Sequence, residues 1–189
     1  HSVELGCQWQ YDKVSILPAL FYRYTYNRFT SVTEAINDTL LRTTRQNLSN
    51  DQSGGLEVVI SANLSDLITI HGSANAFLNQ INASNRGYSK TRSITTWSST
   101  LTLDMNLGET SRLQVNSNYN SSRSTPQGEY SPSYVLNTGL RQELFEGKLS
   151  LVLTIADIFK TLKRELVLNT PSLNQTVVNP AAPAYAKIT

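Results

Sequence analysis

Apolar and polar residues alternate through most of this 189-residue chain, and this pattern narrows the possible folds more than any other. Every second residue is apolar over residues 3–11, and the alternation resumes over residues 14–26 after a two-residue break. Period-two alternation predicts β-strands with two chemically different faces, and a two-residue break between them predicts a hairpin.

The same pattern returns in three more pairs of segments. Together they predict eight strands, over residues 3–11, 14–26, 55–65, 67–79, 95–107, 112–120, 133–145 and 149–159. No segment has clear amphipathic-helix periodicity, and none approaches the ~18 consecutive apolar residues of a membrane helix. We therefore expect one all-β, antiparallel, up-and-down unit over residues 1–189.

The connections between these strands alternate in length. Tight turns are predicted at residues 12–13, 65–66, 108–110 and 146–148. Long polar segments cover about 27–53, 83–95 and 120–132, and a polar tail follows residue 160. Short turns at one rim and long loops at the other are typical of outer-membrane barrels, whose long loops are extracellular.

The polar side of the predicted strands has an unusual composition. Ser, Thr, Asn and Gln make up 68 of the 189 residues, whereas only 16% are charged. A water-facing sheet would carry more long charged side chains, so we interpret this side as the lumen of a barrel. The residues predicted to face the lumen are Glu4, Arg23, Glu57, His71, Asp104, Arg112, Arg141 and Glu143. We expect His71 to join lumenal hydrogen bonds, and the charged residues to pair with one another or with a plug.

Aromatic residues on the apolar side gather at strand ends, which predicts two membrane-interface girdles. One consists of Trp9 and Tyr11 beside a tight turn, and the other of Tyr22, Tyr24, Tyr26, Trp97, Tyr119 and Tyr134 near the long loops. The ten steps from residue 97 to residue 107 span roughly 25 Å of membrane normal at ~3.3 Å per residue and a tilt of ~40°.

Alternation alone leaves open a soluble sandwich or lipocalin-like barrel, which would hide the same apolar stripe in its core. In that case Leu101, Leu103 and Met105 would pack against an opposing sheet, and Asp104 and Arg112 would face bulk solvent. In the membrane reading, both ends of the chain lie on the extracellular side. We then expect further strands of a larger barrel before residue 1 and after residue 189.

Several function classes are disfavoured by charge and cysteine content. A net charge of +2 is too small for a nucleic-acid footprint, and a single cysteine supplies neither a disulfide framework nor a zinc module. The sequence also presents no nucleophile with a nearby base. We therefore expect a protein that is not an enzyme and holds no metal or cofactor.

Three stretches, residues 20–23, 47–57 and 149–159, resemble the C-terminal part of TonB-dependent receptor-like outer-membrane β-barrel proteins. The resemblance implies a 22-stranded barrel in the outer membrane of a Gram-negative bacterium, with an N-terminal plug and a TonB-interacting segment outside this sequence. The implied partners are outer-membrane lipid, the rest of the barrel with its plug, TonB and a surface lipoprotein.

Recognition residues are expected in the long loops, because loops on a rigid scaffold commonly carry binding. The candidates are Arg86, Tyr88, Lys90, Arg123, Gln127 and Tyr130. They suit a siderophore, a glycan or a peptide. The preferred function is a receptor that takes up such a solute. The alternative is a non-transporting barrel that acts as an adhesin or as a structural component of a surface complex.

Overall fold

The computed structural model describes residues 1–37, 40–47, 50–82, 92–125, 127–170, 173–180 and 186–188. Within these ranges the chain folds into antiparallel β-sheets without a helix, which confirms the all-β antiparallel prediction. No helix in the described ranges is long and apolar enough to cross a membrane.

The described residues form sixteen strands. In chain order they are β1 (Ser2–Gly6), β2 (Trp9–Tyr11), β3 (Val14–Tyr26), β4 (Phe29–Asn37), β5 (Leu40–Asn47), β6 (Asn50–Ser65), β7 (Ile68–Asn82), β8 (Arg92–Asn106), β9 (Ser111–Asn120), β10 (Arg123–Thr125), β11 (Gly128–Tyr130), β12 (Ser133–Leu144), β13 (Leu149–Ile155), β14 (Lys163–Thr170), β15 (Leu173–Pro180) and β16 (Ala186–Ile188).

Ten of these strands make one large sheet in the order β1-β3-β6-β7-β8-β9-β12-β13-β16, with β2 also paired to β3. Each strand runs antiparallel to its neighbours, and the neighbours follow chain order as in an up-and-down meander. Across the described residues the sheet stays open, with β1 and β16 at its two ends.

The strand predicted over residues 3–11 is divided into β1 and β2 by Cys7 and Gln8. The cause lies on the partner strand β3, where these residues face the region of Pro18. The Cys7 N–H donates to the Pro18 carbonyl at 3.1 Å. Proline has no N–H to return, so the ladder lacks a bond at this point.

The long polar segments contain strands that the alternation did not reveal. β4 pairs with β5 in a separate two-stranded sheet, and β10, β11, β14 and β15 form a four-stranded sheet. In addition, β16 extends the large sheet by pairing with β13. β10, β11 and β16 have only three residues each, too few to show a period-two pattern.

The strand predicted over 149–159 is shorter in the structure, because β13 ends at Ile155. Asp157 adopts a positive φ of 48°, which extended strand residues do not have. Its carboxylate accepts hydrogen bonds from the backbone N–H groups of Thr161 at 3.0 Å and Leu162 at 3.1 Å. These bonds hold the turn that leads the chain away from the large sheet.

We expect Asp157→Ala to lower the free energy of unfolding by about 1–3 kcal/mol, because it removes the charged acceptor of these backbone hydrogen bonds. Asp157→Asn keeps one acceptor oxygen and tolerates positive φ, so its loss should be smaller. The measurement is the urea midpoint of the protein folded in lipid vesicles. Asp66→Ala is the control, since this turn residue is fully exposed. An equal shift for Asp66→Ala would contradict the prediction.

The alternation places the apolar positions on one face of the large sheet. Leu103 lies opposite Ile70 and Val115, for example, and Leu101 lies opposite Gly72 and Ser117. We call this the apolar face, and the opposite side, which carries Asp104 and Gln114, the polar face.

The apolar face is largely uncovered in the described part of the protein. Leu5, Leu20 and Leu101 are 73%, 58% and 49% exposed. The buried apolar residues are few, and three of them, Val32, Ile81 and Leu168, lie in or near the loop-side sheets. A soluble sandwich would have buried Leu101, so the packing does not match that alternative.

Candidate functional site

The polar face carries rows of cross-strand hydrogen bonds between uncharged side chains. Asn116 Nδ2 donates to Thr102 Oγ1 at 2.9 Å, and Thr100 Oγ1 donates to Asn118 Oδ1 at 3.0 Å. His71 Nδ1 lies 3.1 Å from Ser61 Oγ, which places this histidine in such a network. These contacts follow from the strand register, because each pair lies directly opposite.

A pocket of about 600 Å³ lies on the polar face toward the tight turns, and we call it the turn-side pocket. It brings together four of the residues predicted to face the lumen: His71, Asp104, Arg112 and Arg141. Arg112 lies directly opposite Arg141 in the register. Two like charges placed directly opposite each other are destabilising unless a carboxylate compensates them.

The predicted charge pairs are only partly formed at the turn-side pocket. Arg141 makes an ion pair with Glu143 at 3.0 Å. Asp104 instead accepts a hydrogen bond from Gln114 Nε2 at 2.7 Å, because Gln114 is the residue opposite it. Arg112 lies opposite Asn106 and exposes its side chain.

A second pocket of about 580 Å³, the mid-face pocket, contains three more of the predicted charges, Glu4, Arg23 and Glu57. Its floor is aromatic. Phe21 and Phe77 lie on either side of Gly55 in the register, and their ring centroids are 6.1 Å apart. A Cβ on Gly55 would overlap the Ala76 carbonyl and Phe77, so glycine permits this close approach.

Three residues that line the mid-face pocket, Asp51, Asn75 and Asn79, have side-chain oxygens sealed from solvent. Asp51, which is 8% exposed, forms an ion pair with Arg28 through Oδ2. Its other oxygen, Oδ1, is buried without a hydrogen-bond partner, and the same holds for Asn75 Oδ1 and Asn79 Oδ1. Such orphaned buried acceptors are uncommon in native proteins and call for an explanation.

A third pocket of about 610 Å³, the rim pocket, lies among β4, β5, β10, β11, β14 and β15. It contains the predicted ligand-binding residues Arg123, Gln127 and Tyr130. The Arg123 guanidinium carbon lies 4.8 Å from the centroid of the Tyr130 ring, a cation–π contact. Arg28, Asn79 and Arg123 line both the rim pocket and the mid-face pocket, so the two cavities adjoin.

Gln127 has a structural contact in this pocket. Its Nε2 donates to the Thr33 carbonyl at 2.7 Å, and its Oε1 accepts from the Thr33 N–H at 2.7 Å. The side chain is only 4% exposed. It therefore joins two loop-side elements that are 94 residues apart in sequence.

We expect Gln127→Ala to loosen the β4–β5 hairpin, because both hydrogen bonds to Thr33 are lost at a cost of about 1–3 kcal/mol. Hydrogen exchange of the amides in residues 29–37 should become faster by tenfold or more. Gln46→Ala is a matched control, since Gln46 lies in the same hairpin and bonds only Thr44 of its own strand at 3.3 Å. If exchange is unchanged in Gln127→Ala, the hydrogen bonds between Gln127 and Thr33 do not stabilise the hairpin.

The other three predicted ligand-binding residues, Arg86, Tyr88 and Lys90, lie outside the described residues.

The aromatic residues predicted as girdles lie on the apolar face, and several contact one another. Trp97 and Tyr119 have ring centroids 4.3 Å apart, and Tyr24 and Tyr26 are 4.5 Å apart. Tyr22 donates to Gln52 at 3.2 Å, and Trp9 and Tyr11 are exposed at the turn side.

Sequence reasoning missed several residues of these sites. The ring of Phe159, a residue that the sequence places in a strand and not in a girdle, stacks on that of Tyr134 with centroids 6.4 Å apart. Phe21 and Phe77 were not selected as pocket residues. Glycine within a strand signals a close approach of neighbouring groups, so Gly55 was the available clue.

In the described part of the chain, no cluster of three or more His, Cys, Asp or Glu side chains could hold a metal ion.

A meander of long antiparallel strands, with an exposed apolar face edged by aromatic residues and a polar face that carries pockets, defines the wall of an outer-membrane type of β-barrel. A family comparison agrees with this class. The model of the outer membrane protein beta-barrel family matches residues 1–184, and the chain belongs to that family. The protein is therefore located in the outer membrane, as the sequence predicted.

Comparisons with curated proteins and with solved structures found no match to this chain.

Proposed function

We propose that this chain forms part of the barrel wall of a TonB-dependent outer-membrane receptor that takes up a solute. The polar face lines an aqueous interior, and the apolar face contacts lipid. The observation that best supports the proposal is that the rim and mid-face pockets adjoin at Arg28, Asn79 and Arg123. A solute captured at the loops would therefore lie next to a second polar cavity on the inner wall.

In this proposal the barrel carries out no bond chemistry. The rim pocket captures the solute through Arg123 and Tyr130, and the charged residues of the polar face contact a plug domain. The whole barrel has 22 strands and belongs to a Gram-negative bacterium. TonB supplies the energy from the periplasm, and a surface lipoprotein assists capture at the rim.

A non-transporting barrel is the second candidate. The observation in its favour is that the loop-side strands pack on one another. Gln127 makes two hydrogen bonds with Thr33, and Val32 of β4 and Leu168 of β14 are buried. A preformed outer surface of this kind suits an adhesin or a structural partner in a surface complex.

Copurification with TonB separates the two candidates. The full-length protein would be extracted from outer membranes in detergent and passed over the immobilised periplasmic domain of TonB, with a porin from the same membranes as control. Specific retention is expected for a receptor. Retention no greater than that of the porin would reject TonB-driven uptake and favour the non-transporting barrel.

A further inference from the structure

One wall of the rim pocket is a single face of the four-stranded sheet. Arg123 lies opposite Tyr130 in the register, and Tyr130 lies opposite Leu166. Leu166 in turn lies opposite Val177, and all four residues line the pocket. Side chains directly opposite each other lie on the same side of a sheet. The wall therefore has a cation and an aromatic ring at one end and an aliphatic surface at the other.

The acidic side chains next to this wall lie on the other side of the sheet. Glu129 precedes Tyr130 in β11, and Glu165 precedes Leu166 in β14, so strand alternation places both on the opposite face. The β4–β5 hairpin adds hydroxyl groups to the pocket, with Thr33 Oγ1 2.9 Å from Thr43 Oγ1. Among the described residues, the lining thus contains no carboxylate.

Arg123 is the uncompensated charge of the rim pocket. The lining has two cations, Arg28 and Arg123, and Arg28 is already paired with Asp51. Arg123 is exposed and forms no ion pair with any described residue. Its contact with the Tyr130 ring positions the guanidinium and leaves its N–H donors available. The adjoining mid-face pocket differs, because three carboxylates line it.

We infer that the rim pocket binds a monoanionic carboxylate that carries an apolar chain. Arginine presents its N–H donors in a fork that matches a carboxylate, so Arg123 holds the anionic end. The chain lies on Leu166 and Val177. A phosphate carries more charge and would require a second free cation, which the pairing of Arg28 with Asp51 removes.

Two kinds of solute have this chemistry: a fatty acid, and a short peptide with apolar side chains and a free C-terminus. The pocket volume of about 610 Å³ suits either. The inference rests on the proposed function, because it takes the rim pocket as the site that captures the solute.

Titration calorimetry on the full-length protein in detergent at neutral pH tests the inference. The probes are hexanoate for a fatty acid and N-acetyl-leucylleucine for a peptide. Each is compared with its terminal amide, and with a short-chain acid, acetate or N-acetyl-glycylglycine. At least one of the two probes should bind about tenfold or more tighter than its amide, because the amide has no charge for Arg123. The same probe should bind about tenfold tighter than its short-chain acid.

Arg123→Met should abolish the preference for the acid over the amide, because it removes the charge and keeps an unbranched side chain. Arg123→Lys should retain part of the preference, since it keeps the charge without the fork. Arg42→Met is the matched control. Arg42 belongs to the same rim, pairs with Glu34 at 3.1 Å and does not line the pocket. Its replacement should change the affinity by less than about twofold.

Three results would overturn the inference: neither probe binds, the amides bind as tightly as the acids, or Arg123→Met keeps the preference. Equal binding of the long and short acids would also overturn it, because the apolar wall would then have no role. Heat-modifiability on gels identifies a variant that fails to fold. In that case the comparisons of acid with amide and of long with short chain decide the matter on the wild type.

The probes also distinguish the two sources of the carboxylate. Selective binding of N-acetyl-leucylleucine alone identifies a peptide C-terminus, and selective binding of hexanoate alone identifies a fatty acid. The proposed uptake can fail separately. Retention on TonB without selective carboxylate binding removes this ligand class and leaves uptake intact. Selective binding without retention on TonB keeps the carboxylate site and removes TonB-driven uptake.

Discussion

Gly55→Ala is expected to destabilise the barrel by about 3 kcal/mol, the upper end of the usual cost of overpacking. An added Cβ would overlap the Ala76 carbonyl and the Cα and Cβ atoms of Phe77. These are mostly backbone atoms in a central strand pair, so they cannot move aside as a flexible side chain would. The urea midpoint in lipid vesicles and the folded fraction in outer membranes measure the effect.

Gly54 provides a control that differs by one position. A Cβ there would lie 3.5 Å from the Phe21 carbonyl and from Tyr22, which is ordinary van der Waals contact. Gly54→Ala should therefore change stability by no more than about 0.5 kcal/mol. Equal losses for the two variants would show that the close approach at Gly55 is not the cause.

Leu101→Arg is expected to cost about 2–4 kcal/mol, the value for a cationic side chain at the middle of the lipid-facing band of a barrel. Leu101 is 49% exposed on the apolar face and lies near the centre of the apolar stretch of β8. The variant would place a guanidinium where only lipid chains could surround it. Unfolding in vesicles gives the free energy directly.

Ser73→Arg tests the same charge on the polar face. Ser73 is exposed on β7 and lies opposite Thr100, the neighbour of Leu101 in sequence. An arginine there would enter water, so we expect a loss of less than about 1 kcal/mol. A larger cost for Ser73→Arg than for Leu101→Arg would reverse the assignment of the two faces.

The large sheet could be anticipated from the sequence because period-two alternation is a local property of each strand. Leu103 and Asp104 take opposite faces for this reason, and Asp12 takes its positive φ of 46° in a turn visible as a two-residue break. The end of β13 was misplaced, because the hydrogen bonds of Asp157 reach forward to Thr161 and Leu162 and leave no trace in the alternation.

The pockets depend on contacts between residues far apart in sequence, and a local sequence pattern does not predict such contacts. Phe21 and Phe77 meet only because both lie opposite Gly55. The sequence indicates Gln127 as a hydrogen-bonding loop residue but not its partner Thr33, which is 94 residues away in another predicted loop. The loop-side strands are short or irregular in polarity, so pairing decides their structure and propensity does not.

Arg28, Asn79 and Arg123 are shared walls of two adjoining cavities, and this sharing limits how the protein can evolve. A substitution at any of the three alters the outer chamber and the inner one at once. In the proposed receptor, selection of a new solute at the surface and its passage inward could therefore not be adjusted independently. Such a receptor could change the solute that it captures without affecting passage only through residues that line a single cavity.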